Sequence, residues 1–155
     1  MIKVIQVIMD RIKLQSENKE TEDIKEKAKI AVLTIVQKFS EADIFLKDDC
    51  AYFLEAFLED IKVDMGFKIK RFLLPALISM TKHLDYEVFK TNVLPVFQSF
   101  VEDEIWGTRK AAIDCTADII AQLKPSEADK LKDCFEFFKK CLTDQNRWVK
   151  NQALQ

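Results

Sequence analysis

The 155-residue sequence predicts an all-α fold of about four stacked helix pairs, and three observations lead there. Only two glycines occur, Gly66 and Gly107, so the turn chemistry that many β-hairpins need is missing. Apolar residues recur at helical spacing in one segment after another. A polar and aromatic phrase is written twice, DEIWGTRKAA from Asp103 to Ala112 and DQNRWVKNQA from Asp144 to Ala153, 41 residues apart.

The first helix is expected at residues 2–14, where MIKVIQVIMDRIK is apolar but cut by Lys3, Asp10 and Arg11. Those charges, and the lack of a small-residue cleavage site, make it an amphipathic helix and not a signal peptide. The polar run SENKETED (Ser16 to Asp23) is the loosest connection. Helices at 22–39, 48–59, 68–83 and 86–101 follow, the last with Phe89, Val93, Val96, Phe97 and Phe100 on one face. A long helix at 105–123 sets Thr108, Ala112, Cys115 and Ile119 against Asp114, Asp118 and Gln122. Two more are expected at 127–142 and 146–155. Ser40 with Asp43, and Ser126 with Asp129, read as N-caps, with Asp85 and Asp144 capping similarly. Pro125 stops the helix before it. Pro75 and Pro95 fall inside apolar helical patterns, where each removes one backbone hydrogen bond. Pro95 predicts a kink; Pro75 is either interior or in the first turn of a helix that starts later.

Composition excludes several classes. With 48% hydrophobic and 32% charged residues, the chain can bury a core. A net charge of −2 argues against a dedicated nucleic-acid binder. Runs such as IAVLTIV (Ile30 to Val36) are too short to cross a membrane. Two glycines cannot build a phosphate loop. Cys50, Cys115, Cys134 and Cys141 have no CxxC spacing, and His83 is the single histidine, so reduced thiols in a cytoplasmic protein are expected and a zinc site is not. One histidine also leaves no Ser–His–Asp or Cys–His set, and the paired acids Asp48-Asp49 and Glu59-Asp60 lie on solvated stretches. Catalytic residues, metal ligands and cofactors are therefore all expected to be none.

The repeated phrase has weaker copies. Asp64, Ile69-Lys70 and Leu73 match Asp103, Thr108-Arg109 and Ala112 at an offset of 39, and Ile24-Lys25 and Ala28 match at a further 45. Val149-Lys150 and Ala153 complete the series. A period of 39 to 45 residues spanning two helices marks a HEAT-repeat α-solenoid, an α-α superhelix in which stacking buries a face that one helix pair leaves bare. The units are 1–39, 41–83, 85–123 and 126–155, forming a single array. Its final ALQ is not a polar cap, so the chain is expected to be a piece of a longer solenoid. The base in each copy can reach the Asp of a neighbouring repeat, giving a ladder of Asp64, Lys70, Asp103, Arg109, Asp144 and Lys150, with Arg109 pairing to Asp144 or Asp64. Trp106 and Trp148 either staple their turns or stand partly exposed among bases as interface anchors. Trp106, Lys110, Arg147 and Trp148 are accordingly the candidate partner-binding residues.

Val93 to Cys115 (VLPVFQSFVEDEIWGTRKAAIDC) and Leu142 to Gln155 (LTDQNRWVKNQALQ) resemble the HEAT repeats of the regulatory-subunit-1 family of serine/threonine-protein phosphatase 4, and more broadly the scaffold subunit of protein phosphatase 2A. The resemblance lies in the leucine-proline of the first helix, the Asp-x-x-Trp-Gly-x-Arg-Lys-Ala turn and the later Arg-Trp-Val-Lys turn. Val63 to Phe97 is similar at lower quality, and the first 60 residues only in their helical pattern. Thr108 stands where that pattern carries Val, Lys150 where it carries Arg, and Pro75 where it carries no proline. The resemblance implies a non-catalytic subunit that holds or directs a phosphatase catalytic subunit. Two further readings share the helical array: a tubulin- or cilium-associated scaffold, suited by a basic ridge, and a general transport or assembly scaffold.

Overall fold

The computed structural model describes residues 2–13, 19–61 and 66–155, and every regular element among them is helical. The chain forms α1 (Ile2–Lys13), α2 (Lys19–Glu41), α3 (Lys47–Ile61), α4 (Phe67–Thr81), α5 (Tyr86–Val88), a π-helical turn (Phe89–Val93) and α6 (Leu94–Val101). It continues as α7 (Trp106–Asp114), α8 (Thr116–Gln122), a 3₁₀ turn (Pro125–Glu127), α9 (Ala128–Leu142) and α10 (Arg147–Ala153).

Two layers emerge from the packing. One is a row in which α2 packs on α4, α4 on α7 and α7 on α10. The other consists of α1 on α2, α3 on α4, α6 on α7 and α9 on α10. The row is close-packed because its contact positions are small or fully buried: Thr108, Ala112, Val149 and Ala153 lie at its later junctions. Helix α4 occupies the middle, and Leu73, Leu74, Ala76, Leu77 and Met80 are all buried. A helix apolar on most sides belongs at the centre of a core. An aromatic cluster joins the layers, with Phe45 stacked on Phe53 at 5.1 Å and Phe39 meeting Phe45 edge-on at 5.4 Å.

Several local expectations are corrected. Helix α2 runs from Lys19 to Glu41, so Ser40 lies inside its last turn, buried beside Cys50 Sγ at 3.9 Å, and is not an N-cap. The chain turns at Asp43, whose φ of 55° is left-handed, a conformation that Asp tolerates better than most residues. At α3 it is Asp49 that reaches back, accepting the Leu46 amide hydrogen at 3.1 Å. Helix α4 is continuous through Pro75, which is therefore interior. The helix expected at 86–101 is interrupted ahead of Pro95 by the π turn, in which the Leu94 N–H skips a residue to donate to Phe89 O.

The helix expected at 105–123 is two helices. Thr116 Oγ1 donates to the Ala112 carbonyl at 3.0 Å, and the Cys115 amide donates to the same oxygen at 3.1 Å. A hydroxyl that competes for a helical carbonyl bends the helix, and the break turns α8 toward α9. Ser126 lies within the 3₁₀ turn, and Glu127 precedes α9 without a side-chain cap. Asp85 precedes α5, but its carboxylate goes to Lys47 Nζ at 3.0 Å. At α10 the cap is Asn146, which accepts from the Trp148 amide at 2.9 Å, and not Asp144.

All four cysteines are free and buried. Burial, assisted by Asp118 and Asp114, pushes the Cys115 thiol up to about 12. Burial and then Asp144 push Cys141 to about 11, against a smaller opposing pull from Arg109. No helix among the described residues is long and apolar enough to cross a membrane, and no group of His, Cys, Asp and Glu among them could hold a metal ion.

Candidate interaction site at the helix starts

The beginnings of α4, α7 and α10 lie side by side in the row, and the two ion pairs between them explain why the repeated phrase opens on Asp. Lys70 Nζ of α4 donates to Asp103 Oδ2 at 2.8 Å, just ahead of α7. Arg109 of α7 grips Asp144, ahead of α10, with Nε to Oδ2 at 2.8 Å and Nη2 to Oδ1 at 3.0 Å. Each Asp also holds its own turn: Asp103 Oδ1 accepts the Ile105 amide and Asp144 Oδ1 the Asn146 amide, both at 2.8 Å. One carboxylate thus closes a turn and binds the preceding helix of the row. Arg109 Nη1 adds bonds to the carbonyls of Asp103 and Glu104, both 2.9 Å, so it spans two turns.

These contacts set the charge states. The hydrogen bond from Arg109 holds the Asp144 carboxyl below the ordinary aspartate range, against the effect of burial. Burial pushes Asp103 up, but the Lys70 hydrogen bond and the Ile105 amide outweigh it, so its carboxyl also titrates low. The Arg109 guanidinium is raised, chiefly by its bond to Asp144. Asp64 lies outside the described residues. Lys150 makes no ion pair among the described residues, although it faces Asp144 closely enough to favour that carboxylate's charge.

Residues of the same three helices line a groove of about 350 Å³. Its walls are the rings of Phe67, Trp106 and Trp148, with Phe72 and Ala111 beneath. Trp106 is 43% and Trp148 49% exposed, so neither is consumed by packing. Gly107 sits between them, and a Cβ there would stand 3.5 Å from the Phe67 ring. Of the four residues singled out from sequence, Trp106, Lys110 and Trp148 line the groove and Arg147 lies over the Trp148 ring at 4.8 Å. Lys110 Nζ is engaged by Asp114, at 2.9 and 3.2 Å to its two oxygens. Arg71, also on the groove, stands 5.6 Å from the Phe72 ring. Neither Arg71 nor Arg147 makes an ion pair among the described residues.

Phe67 and Arg71 are the members that sequence reasoning missed. The offset of 39 that aligns Asp64 with Asp103 also sets Phe67 on Trp106 and Arg71 on Lys110. His83 is not part of this site. Its Nε2 lies 2.9 Å from Ser40 O and 3.5 Å from Asp43 Oδ1, where with Lys82 it clamps the α2–α3 turn.

The groove can take up an apolar side chain, flank it with positive charge and exclude water from one side. Comparison of the chain with family models, curated proteins and solved structures gives no match. The fold and site therefore define an all-helical protein with an aromatic and basic groove across three adjacent helix starts.

Proposed function

We propose that the chain is a non-catalytic scaffold of the HEAT-repeat type, which binds a protein partner along the ridge formed by the starts of α4, α7 and α10. The observation that carries this reading is the groove itself: two half-exposed tryptophans on a frame fixed by the Lys70–Asp103 and Arg109–Asp144 pairs. Trp and Arg at a rigid, partly desolvated surface are the residues that dominate protein interfaces. The row of α2, α4, α7 and α10, with a second layer on it, supports the repeat assignment. A lone histidine already bonded to the Ser40 carbonyl supports a non-enzymatic role.

The partner we assign is a serine/threonine protein phosphatase catalytic subunit, on the resemblance of both tryptophan turns to phosphatase regulatory subunits. The four free, buried cysteines suit a cytoplasmic setting. Tubulin is the second reading, favoured by the unpaired Arg71 and Arg147 beside the groove, which would meet an acidic surface.

The test uses the purified chain with a phosphatase 4 or 2A catalytic subunit, and separately with tubulin, in size-exclusion co-elution. Lys110→Glu with Arg147→Glu should abolish co-elution with the true partner while leaving the helical circular dichroism unchanged. Raised salt should weaken the wild-type complex in the same direction. Co-elution of neither protein, or a double variant that binds normally, overturns this assignment.

A further inference from the structure

The groove's chemistry and its repeat distance together restrict what can lie in it. Packed helices sit about 8–10 Å apart. The three members α4, α7 and α10 each bring one large ring near their start: Phe67 and Trp106 at the first helical position, Trp148 at the second. A ligand running along the row must therefore offer one side chain every 8–10 Å or so to fill the gaps between rings. A β-strand repeats a face every ~6.6 Å, and an α-helix every ~5.4 Å. A polyproline II chain returns to the same face after three residues, about 9.3 Å, and this conformation is one that aromatic grooves commonly bind.

Charge selects the composition of that chain. Among the groove's lining residues the one acid, Asp114, is engaged by Lys110. Arg71 and Arg147 remain, their guanidiniums beside aromatic rings and without carboxylate partners among the described residues. A cationic ligand would meet these two charges with nothing to offset them, whereas a carboxylate on either side of the apolar anchors would pair with each.

We propose that this groove binds an acidic, proline-containing segment of the partner in the polyproline II conformation. Its apolar side chains, three residues apart, insert beside the rings of Phe67, Trp106 and Trp148, and flanking carboxylates pair with Arg71 and Arg147. The proposal rests on the scaffold reading, because the segment belongs to the bound partner, but its test is independent of which partner that is.

Trp106 and Trp148 are the two tryptophans of the chain, so intrinsic fluorescence reports on the groove directly. The probe is the peptide Asp-Glu-Leu-Pro-Pro-Leu-Pro-Glu-Asp, which is itself non-fluorescent. It should cause a saturable change in tryptophan emission. Two control peptides, one with the leucines two residues apart and one with lysines replacing the acids, should bind at least ten-fold more weakly. Arg71→Glu with Arg147→Glu should weaken the acidic peptide by at least ten-fold. Gly107→Leu, which fills the groove beside Phe67, should abolish binding with helical content retained; Trp148→Ala, read by calorimetry, serves if that variant does not fold. No saturable change, or equal binding of either control peptide, overturns the proposal. A catalytic subunit that co-elutes and is not displaced by saturating peptide also overturns it and leaves the scaffold reading intact. Peptide binding without co-elution of any phosphatase supports the groove assignment and removes the phosphatase.

Discussion

The two layers of this protein are built on different terms. In the row of α2, α4, α7 and α10, helices meet through fully buried residues and cross-links between consecutive members: Lys68 to Glu26 at 2.9 Å, Lys70 to Asp103 and Arg109 to Asp144. The other layer also has contacts between its members, with the Phe97 and Phe137 rings of α6 and α9 meeting edge-on at 5.8 Å, but it leaves wider openings. A groove of about 610 Å³ lies beside α3 and α5, lined by Leu54, Leu58, Leu84 and Val88, and another of about 460 Å³ lies between α6 and α9. The wider openings thus lie in the outer layer, which packs on the row. Trp106 and Trp148 both stand on the row, at the starts of α7 and α10.

The largest expected effect separates the layers directly. Leu77 of α4 is completely buried, and Leu77→Ala should cost about 2–5 kcal/mol, because the core around a central helix cannot collapse onto the void. Leu58 of α3 is half-buried and faces the outer groove, so Leu58→Ala should cost roughly 1 kcal/mol or less. Urea unfolding midpoints measure both. Equal losses would mean that the outer layer is as tightly coupled as the row.

A smaller effect distinguishes the two ion pairs within the row. Arg109 makes a two-pronged contact to a carboxylate that is 10% exposed, and it also bonds two carbonyls. Removing it leaves Asp144 uncompensated, and Arg109→Ala should cost about 1–3 kcal/mol. Lys70 makes a single contact through a flexible chain, and Lys70→Ala should cost less, about 1 kcal/mol or below. A double-mutant cycle of Arg109→Ala with Asp144→Ala gives the coupling, and a coupling near zero would show that the pair only decorates the junction.

Acid should act on the same junctions. Both carboxyls titrate below the ordinary aspartate value of 3.8. A lowered folded value means the native state binds fewer protons than the unfolded one. The stabilisation is therefore fully present above about pH 4 and is lost as pH falls through the folded values. Unfolding midpoints should be level with respect to these two groups from pH 7 to pH 5 and fall steeply below 4. Asp144→Asn should flatten part of that fall. A fall of unchanged steepness in the variant would assign it to other carboxylates.

What was legible in the sequence follows the same division. The junctions of the row recur, so the copies of Asp, base and small residue announced themselves by offset. Arg109 could be narrowed to two partners, Asp144 or Asp64, of which the structure shows Asp144. Trp106 and Trp148 stood out because tryptophan is rare and here sits beside bases. Phe67 did not, since a phenylalanine near a helix start looks like any core residue among twelve. The break at Cys115 was also hidden: a hydroxyl taking a carbonyl from the backbone leaves the apolar spacing untouched. Ser40 and Asp144 misled as caps as well. Ser40 lies inside α2 and faces Cys50, and Asp144 holds the Asn146 amide two residues ahead of the helix while Asn146 takes the cap itself.

The smallest expected effect concerns one hydroxyl at the centre of the row. Thr108 is completely buried, and its Oγ1 makes no well-formed hydrogen bond. It stands where the resembling pattern carries valine, and it lies close enough to Asp103 to favour that carboxylate's charge. Replacing it by valine keeps the branched shape and removes a polar group that has lost its water. Thr108→Val should therefore stabilise the chain by about 1 kcal/mol, which for a domain of this size raises Tm by roughly 2–4 °C. The alternative outcome is equally informative. A fall in Tm that disappears in an Asp103→Asn background would show that the hydroxyl donates to Asp103 in solution, making Thr108 a third member of the Lys70–Asp103 junction. The sign of one small shift thus decides whether the threonine is a departure that costs stability or a further link in the row that carries the tryptophans.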